Sequence, residues 1–454
     1  MSLRGLLVLL LCFVVALLAL RWAGHPEPSS APSTLDAPLL HAFNEDAVRE
    51  IELACAGTQV TLRRDDARLW RVVRPFEADA DPRRVHEVVA ALQDARVRKT
   101  IAGAETNPSA FGLAPAVCTV RLNAAATAPP LTLRIGRASP VGSERYAVAD
   151  DARLVLTDGS LYGALAREAE SFREKRLIPL EAGEITRIAI MRPPERLSIV
   201  LTDGICRLEA PLADAGAASA CESLARAVTS VALSGPFAPR PQTGTNAERL
   251  IAVEVTAKGA SAPLRAYIAT AGRDGRRVAW RDGSAEVGLV GESAVSELLR
   301  PADSFRDLRI VAWSPGDVRR LTIERAATVL RLERAGETAP WTASAGSSVV
   351  PVLAARADAV VDALHDLRGS GFLVLAPSTA ATATIAAYGD RGELARLTFG
   401  PLPPQAGQAT ESVWLTTSAR PGVAFKVEAS RVAGLPKDAA DLATTPTAPA
   451  AAGS

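Results

Sequence analysis

The residues whose types could do chemistry are four histidines, a scatter of serines beside glycines, some paired carboxylates and five cysteines. His25 and His41 fall in a Pro/Ser-containing stretch near the N-terminus, while His86 and His365 sit at comparable places on two distant helical segments. A metal site needs several such donors converging on one point, and two single histidines read instead as helix-surface residues. Ser143 follows Gly142, Ser160 ends Asp158-Gly159-Ser160, and Ser347 and Ser348 follow Gly346. None stands in the Gly-x-Ser-x-Gly elbow that exposes a nucleophile, and no glycine loop for phosphate is present. Glu168 and Glu170, like Asp65 and Asp66, read as solvated positions without the burial that tunes an acid or base. The expectation is a chain that is not an enzyme, with no catalytic, cofactor-binding or metal residue and no cofactor.

Cys55, Cys118, Cys206 and Cys221 remain beyond the N-terminal run. No two have the spacing of a zinc or redox motif. They are candidate disulfide partners, Cys55 with Cys118 and Cys206 with Cys221. Cys206 falls on a strand and Cys221 near the start of the next helix, so the two elements could meet across a core. The other reading, equally open, makes each a small buried apolar residue.

The elements that would position these groups repeat. Ser171-Phe-Arg173, followed by Leu177 and Ile178, recurs 133 positions later as Ser304-Phe-Arg306, followed by Ile310 and Val311. The strand pattern Ile185–Ile190 recurs as Val318–Ile323, and Val48–Leu53 reads as the same opening strand upstream. Repetition at this period marks multiplication of one folding unit. Each unit opens with alternating strands, as in 60–64 and 69–73 around the polar turn Asp65-Asp66. It then starts a helix at a capping residue such as Asp81 ahead of Pro82. The helices carry one apolar stripe each: Val85, Val88, Val89, Leu92 and Ala95; Cys221, Leu224, Val228 and Val231; Leu353, Val360, Val361, Leu364 and Leu367. Four further alternating strands form a meander, at 117–122, 131–135, 146–148 and 154–156 in the first unit, and a shorter helix closes it. Strands grouped together, with no regular βαβ alternation, predict an α+β class. Trp70, Trp280, Trp341, Trp414, Phe172 and Phe305 read as core positions.

Gly5–Leu20 is an unbroken apolar run of 16 residues with Arg4 ahead of it. That is barely long enough to span a bilayer, and the charge asymmetry places the N-terminus in the cytoplasm and the bulk of the chain outside. A cleaved signal is the rival reading, which the Arg21-Trp22 exit disfavours. The organisation expected is an anchor at 1–24, a flexible tether at 25–46, α+β repeat units at 47–182, 183–312 and 313–437, and a disordered tail at 438–454. The net charge of +1 gives no electrostatic footprint for nucleic acid.

The set Trp70-Arg-Val-Val-Arg-Pro75, Phe111-Gly-Leu-Ala-Pro115, Leu133-Arg-Ile-Gly136, Tyr146-Ala-Val148 and the Ser-Phe-Arg exit resembles the DUF4340 family of bacterial envelope proteins. The second unit lacks the Phe-Gly-Leu turn, and the third keeps only Leu397-Thr-Phe-Gly400. The resemblance implies an exported, membrane-tethered protein without known catalysis, associated with ABC transporters of gliding-type systems, and it transfers no catalytic residue. The sequence thus predicts a non-catalytic, single-pass inner-membrane protein. Its bulk would be periplasmic, and it would serve an ABC-type transport or cell-surface assembly as accessory or scaffold. Its partners would be the inner membrane and transporter subunits or other envelope proteins, with no nucleic acid. The opposing reading is an extracytoplasmic ligand-binding module.

Overall fold

The computed structural model describes residues 36–442 apart from 42, 66–68, 102–106, 125–128, 150–152, 241–249, 351, 374–378, 403–410 and 437–438. The expected anchor, the tether up to residue 35, Asp66 of the expected turn and the chain beyond 442 lie outside the described residues. Among the described residues, no helix is long and apolar enough to cross a membrane.

The first copy comprises β1 (Glu50–Cys55), β2 (Thr58–Arg64), β3 (Trp70–Arg74), β4 (Ala78–Asp79), α1 (Pro82–Asp94), β5 (Lys99–Thr100), β6 (Cys118–Asn123), β7 (Leu131–Ala138), β8 (Arg145–Val148), β9 (Leu154–Thr157) and α2 (Gly159–Leu165). Its antiparallel sheet runs β4-β3-β2-β1-β6-β7-β8-β9-β5. The second copy has β10 (Ile185–Arg192), β11 (Glu195–Thr202), β12 (Ile205–Ala210), β13 (Asp214–Ala215), α3 (Ala218–Ser230), β14 (Ser234–Pro239), β15 (Leu250–Ala257), β16 (Leu264–Arg273), β17 (Arg276–Arg281), β18 (Glu286–Gly291) and α4 (Glu292–Ser296). The third has β19 (Arg320–Arg325), β20 (Thr328–Glu333), β21 (Thr342–Ala345), β22 (Ser348–Val350), α5 (Ala354–His365), β23 (Gly371–Leu373), β24 (Ala383–Gly389), β25 (Gly392–Pro401), β26 (Ser412–Thr417), β27 (Ala424–Glu428) and α6 (Ala429–Ala433). Both repeat the first order strand for strand. Among the described residues the fold is three nine-stranded antiparallel sheets with few helices, three repeated units of α+β character.

In each copy the long helix follows one edge strand and precedes the other, so α1 crosses from the β4 edge to the β5 edge over one face. That face is the core. Ile51, Leu62, Val72, Val120, Ile135 and Ala147 from the sheet and Val85, Val88, Val89 and Leu92 from α1 are all at most 3% exposed. Burying each Val or Leu contributes about 1.5–3 kcal/mol, which outweighs the cost of at most about 0.7 kcal/mol for each Val in a helix. Asp81 caps α1, its Oδ1 accepting from Arg83 N at 2.9 Å, and Pro82 takes the first helical position. Five of the six edge strands, β4, β5, β13, β22 and β23, have two or three residues, too short to show a period of two.

Several expected boundaries move. Leu39 and Leu40, placed in the tether, are buried in the first core, and Asp36 N and Leu39 N bond to Val97 O and Ala95 O. Leu177 and Ile178 belong to the second core and Ile310 and Val311 to the third. The handover therefore falls between Phe172 and Leu177, ahead of 182/183, and between Phe305 and Ile310, ahead of 312/313. The chain correspondingly divides into two compact units between Glu174 and Lys175, with the second and third copies together in the latter. At the far end, Ala439–Leu442 form a 3-10 helix, and Leu442 is buried in the third core. These residues were expected to be disordered tail. Leu353 is the N-cap of α5 and 44% exposed rather than part of the buried stripe. Ala357, fully buried one turn on, takes its place.

Candidate functional site

The Ser-Phe-Arg exits explain themselves in the structure. Each lies on a four-residue 3-10 helix, Ala169–Phe172 and Ala302–Phe305, whose Phe is at most 1% exposed. The Ser hydroxyls, Ser171 and Ser304, donate to Glu168 O and Pro301 O. The Phe carbonyls accept from Asp81 N and Ala217 N at the starts of α1 and α3, pairing donors that a helix leaves orphaned. Leu442 O accepts from Leu353 N at the start of α5 in the same way. Ala439–Leu442 is thus the third exit, hidden from sequence comparison because Leu442 stands for Phe and Asp441 for Ser.

The most concentrated buried charge in the second compact unit gathers at the second exit. The Asp214 side chain, 1% exposed, sits on edge strand β13. Arg420, on the turn between β26 and β27, donates to it through Nε at 2.7 Å and Nη2 at 2.6 Å. The same guanidinium reaches Asp307 O at 2.7 Å and Arg309 O at 2.6 Å. Arg306 adds a third bond to Asp214 at 2.8 Å, pairs with Asp303 at 2.9 Å, and lies 4.0 Å over the Phe372 ring. Burial by itself would push the Asp214 carboxyl up; Arg420 and Arg306 together outweigh it and hold it below the usual carboxylate range. The cluster joins residues of the second copy to residues of the third. In the first copy, register puts Ala78 where Asp214 stands, because Val72↔Ala78 corresponds to Leu208↔Asp214. There Arg173 lies 3.8 Å over the Phe76 ring and pairs with Glu170.

The histidines and serines singled out from sequence do not converge. His86 is exposed on α1, and His365 is half-buried on α5 with Nδ1 2.8 Å from Trp313 O. Ser143 and Ser160 are exposed in the first copy. Among the described residues no group of three His, Cys, Asp or Glu is placed to hold a metal ion. The cysteines join Cys55 to Cys118, directly opposed on β1 and β6, and Cys206 to Cys221, tying β12 to α3. Gly216 lies against the second bridge, where a Cβ would stand 2.2 Å from Cys206 Sγ. A hollow of about 530 Å³ opens beside α3, lined by polar groups that include Thr186, Thr202, Asp203, Glu222 and Lys258.

Fold and joint define a tandem-repeat protein whose buried charges serve architecture. Residues 70–239 match the model of the DUF4340 family, a domain of unknown function. The match begins at β3 of the first copy and ends with β14 of the second. No curated protein matches the chain. Among solved structures, the DNA polymerase sliding clamp from Caulobacter crescentus is 7% identical, covering 87% of this chain and 95% of that one at a TM-score of 0.15. The sliding clamp from Pseudomonas aeruginosa is 8% identical, covering 86% and 93% at 0.14. At such scores neither likeness bears on fold or function.

Proposed function

We propose that the protein is a non-catalytic, membrane-anchored envelope protein that acts by contact, as an accessory or scaffold component of an ABC-type transport or cell-surface assembly. The anchor would be residues 1–24, with the N-terminus cytoplasmic and the three copies periplasmic. The observation that carries this reading is the Asp214–Arg306–Arg420 joint. A chain that holds its second and third copies together with buried, paired charges has the build of a surface-presenting body. The apolar run from Gly5 to Leu20 supports the anchor, and the resemblance of residues 70–239 to the DUF4340 family supports the envelope setting. A reporter fused after Ser454 should be active only outside the cytoplasm, and carbonate washing should leave the protein in the membrane. Pull-down from detergent-solubilised membranes should then recover a stoichiometric envelope partner. A soluble mature form, or recovery of the protein alone, would sink the proposal. The second reading, a ligand-binding module, has the hollow beside α3 to draw on and would be favoured by saturable small-molecule binding lost on Lys258→Ala.

A further inference from the structure

We propose that the outer face of the second copy's sheet is a docking place for an aromatic side chain of a partner polypeptide, with a carboxylate beside it. The inference deepens the contact reading and rests on it. Its warrant is a comparison among the three copies. On the helix-facing side, Ile135, Ala147 and Val155 lie in register across β7, β8 and β9. Ile268, Ala279 and Gly288 do so across β16, β17 and β18, and Phe399, Leu415 and Phe425 across β25, β26 and β27. Since successive strand residues face opposite sides, Tyr146, Val278 and Trp414 occupy one equivalent outer position, with Gly136, Ala269 and Gly400 beside it. An independent bond agrees: Arg145 Nη1 donates to Gly136 O at 3.0 Å, and Arg277 Nη1 to Ala269 O at 3.5 Å.

Two copies fill this place themselves. In the first, the Phe111 ring lies 4.8 Å from Tyr146 over a small core of Leu113, Val148 and Leu154. The turn sits so close that a Cβ on Gly136 would stand 2.1 Å from Phe111 O. In the third, the Trp414 ring covers Gly400, where a Cβ would come within 2.2 Å of it, and its Nε1 donates to Thr379 Oγ1 at 2.7 Å. The second copy has neither the strand aromatic nor the glycine. Val278 is 39% exposed, and a hollow of about 600 Å³ lies over it, bounded by Ala271, Leu289, Arg273 and Arg276. Residues 241–249, Pro-Gln-Thr-Gly-Thr-Asn-Ala-Glu-Arg, contain no counterpart of Phe111 or Leu113.

The rim supplies the charge preference. Arg273 and Arg276 are direct cross-strand partners at the end of the β16–β17 hairpin, and neither makes a side-chain bond or ion pair among the described residues, although Asp274 stands in the turn between them. Like charges directly opposed are unfavourable, so an incoming carboxylate would relieve them, while an aromatic ring beside a guanidinium adds a cation–π contact. A peptide turn already occupies the equivalent place in the first copy, which favours a polypeptide over a lipid.

The probe is a fluorescent peptide of residues 107–115 carrying Ala110→Asp, titrated into the full chain in detergent. Saturable binding should appear, weaken roughly tenfold or more in the Arg273→Glu/Arg276→Glu variant, and vanish in Val278→Trp, which supplies the missing ring. Val278→Ser, which keeps the hollow open, should retain binding and guards against a folding defect in Val278→Trp. Peptides with Phe111→Ala, or with Lys in place of the Asp, should not bind. No saturable binding, equal binding to Val278→Trp, or indifference to the peptide's aromatic would overturn the proposal. So would phosphatidylglycerol vesicles binding with the same residue dependence, which would assign the place to lipid. Because the titration uses purified chain, its failure is distinguishable from failure of the membrane and partner tests above.

Discussion

Asp214→Ala is the most informative single change. It removes the carboxylate that accepts three bonds from two guanidinium groups, whose side chains are 8% and 11% exposed. Arg420 would keep its bonds to Asp307 O and Arg309 O, and Arg306 would keep Asp303 and the Phe372 face. Neither would keep a buried counter-charge. Removing one partner of a buried pair costs about 3–5 kcal/mol. At about 2–4 °C per kcal/mol for a body of this size, the second compact unit should lose roughly 6–20 °C in Tm. The first should be unaffected, since Ala78 already stands at the corresponding place. Calorimetry of the full chain, which should resolve two transitions, reads both. The accompanying cycle pairs Asp214→Ala with Arg420→Met; contact predicts that the double variant is less destabilised than the sum of the singles by more than about 0.5 kcal/mol. Additive effects, or a loss below about 1 kcal/mol for Asp214→Ala, would refute the reasoning.

The same carboxylate predicts an acid limb. Its folded pKa is depressed, so its contribution is fully present above the unfolded value near about 4 and is lost as pH falls from there through the folded value; Asp214→Asn should lack this part of the pH dependence of unfolding. Phe172→Ala and Phe305→Ala should each cost about 3–5 kcal/mol, and Leu442→Ala about 2–5, measured by denaturant titration; a neutral Leu442→Ala would deny the third exit. Gly400→Ala should displace the Trp414 ring and cost about 1–3 kcal/mol, visible as a change in tryptophan emission. His86→Ala, Ser143→Ala and Ser160→Ala should each shift stability by less than about 0.5 kcal/mol and leave complementation of a deletion strain intact, whereas His365→Ala, which loses its bond to Trp313 O, should cost about 1 kcal/mol.

Strand and helix periodicity made the repeat legible because each copy buries a face large enough to write a period into the chain. The long helices, the meander strands and the Ser-Phe-Arg exits stand where their patterns put them. What escaped were elements without a period. Five of the six edge strands are too short, and the lead-in at Leu39 and Leu40 has two apolar residues in a polar, Pro-containing context. The third exit changed both of its recognisable side chains while keeping its backbone bond. The joint was illegible for a different reason. Asp214 and Arg420 are 206 positions apart, and an acid on a two-residue strand reads like any solvated turn residue until the third copy lies against it. The family motifs were visible as words without grammar: only the structure shows that the glycine of Leu133-Arg-Ile-Gly136 makes room for the turn Phe111-Gly-Leu-Ala-Pro115.

The exits impose a timetable on the growing chain. The residue that pairs the first helix's opening donor, Phe172, comes 91 positions after Asp81, behind the whole meander. A chain made from its N-terminus therefore cannot close its first core until Phe172 has emerged, and the second waits likewise for Phe305. Each copy should appear to a protease as an abrupt gain of resistance, in three steps, the last set by Leu442. A fragment ending at Leu165 would hold every strand and both helices of the first copy and still lack the residue that shuts it.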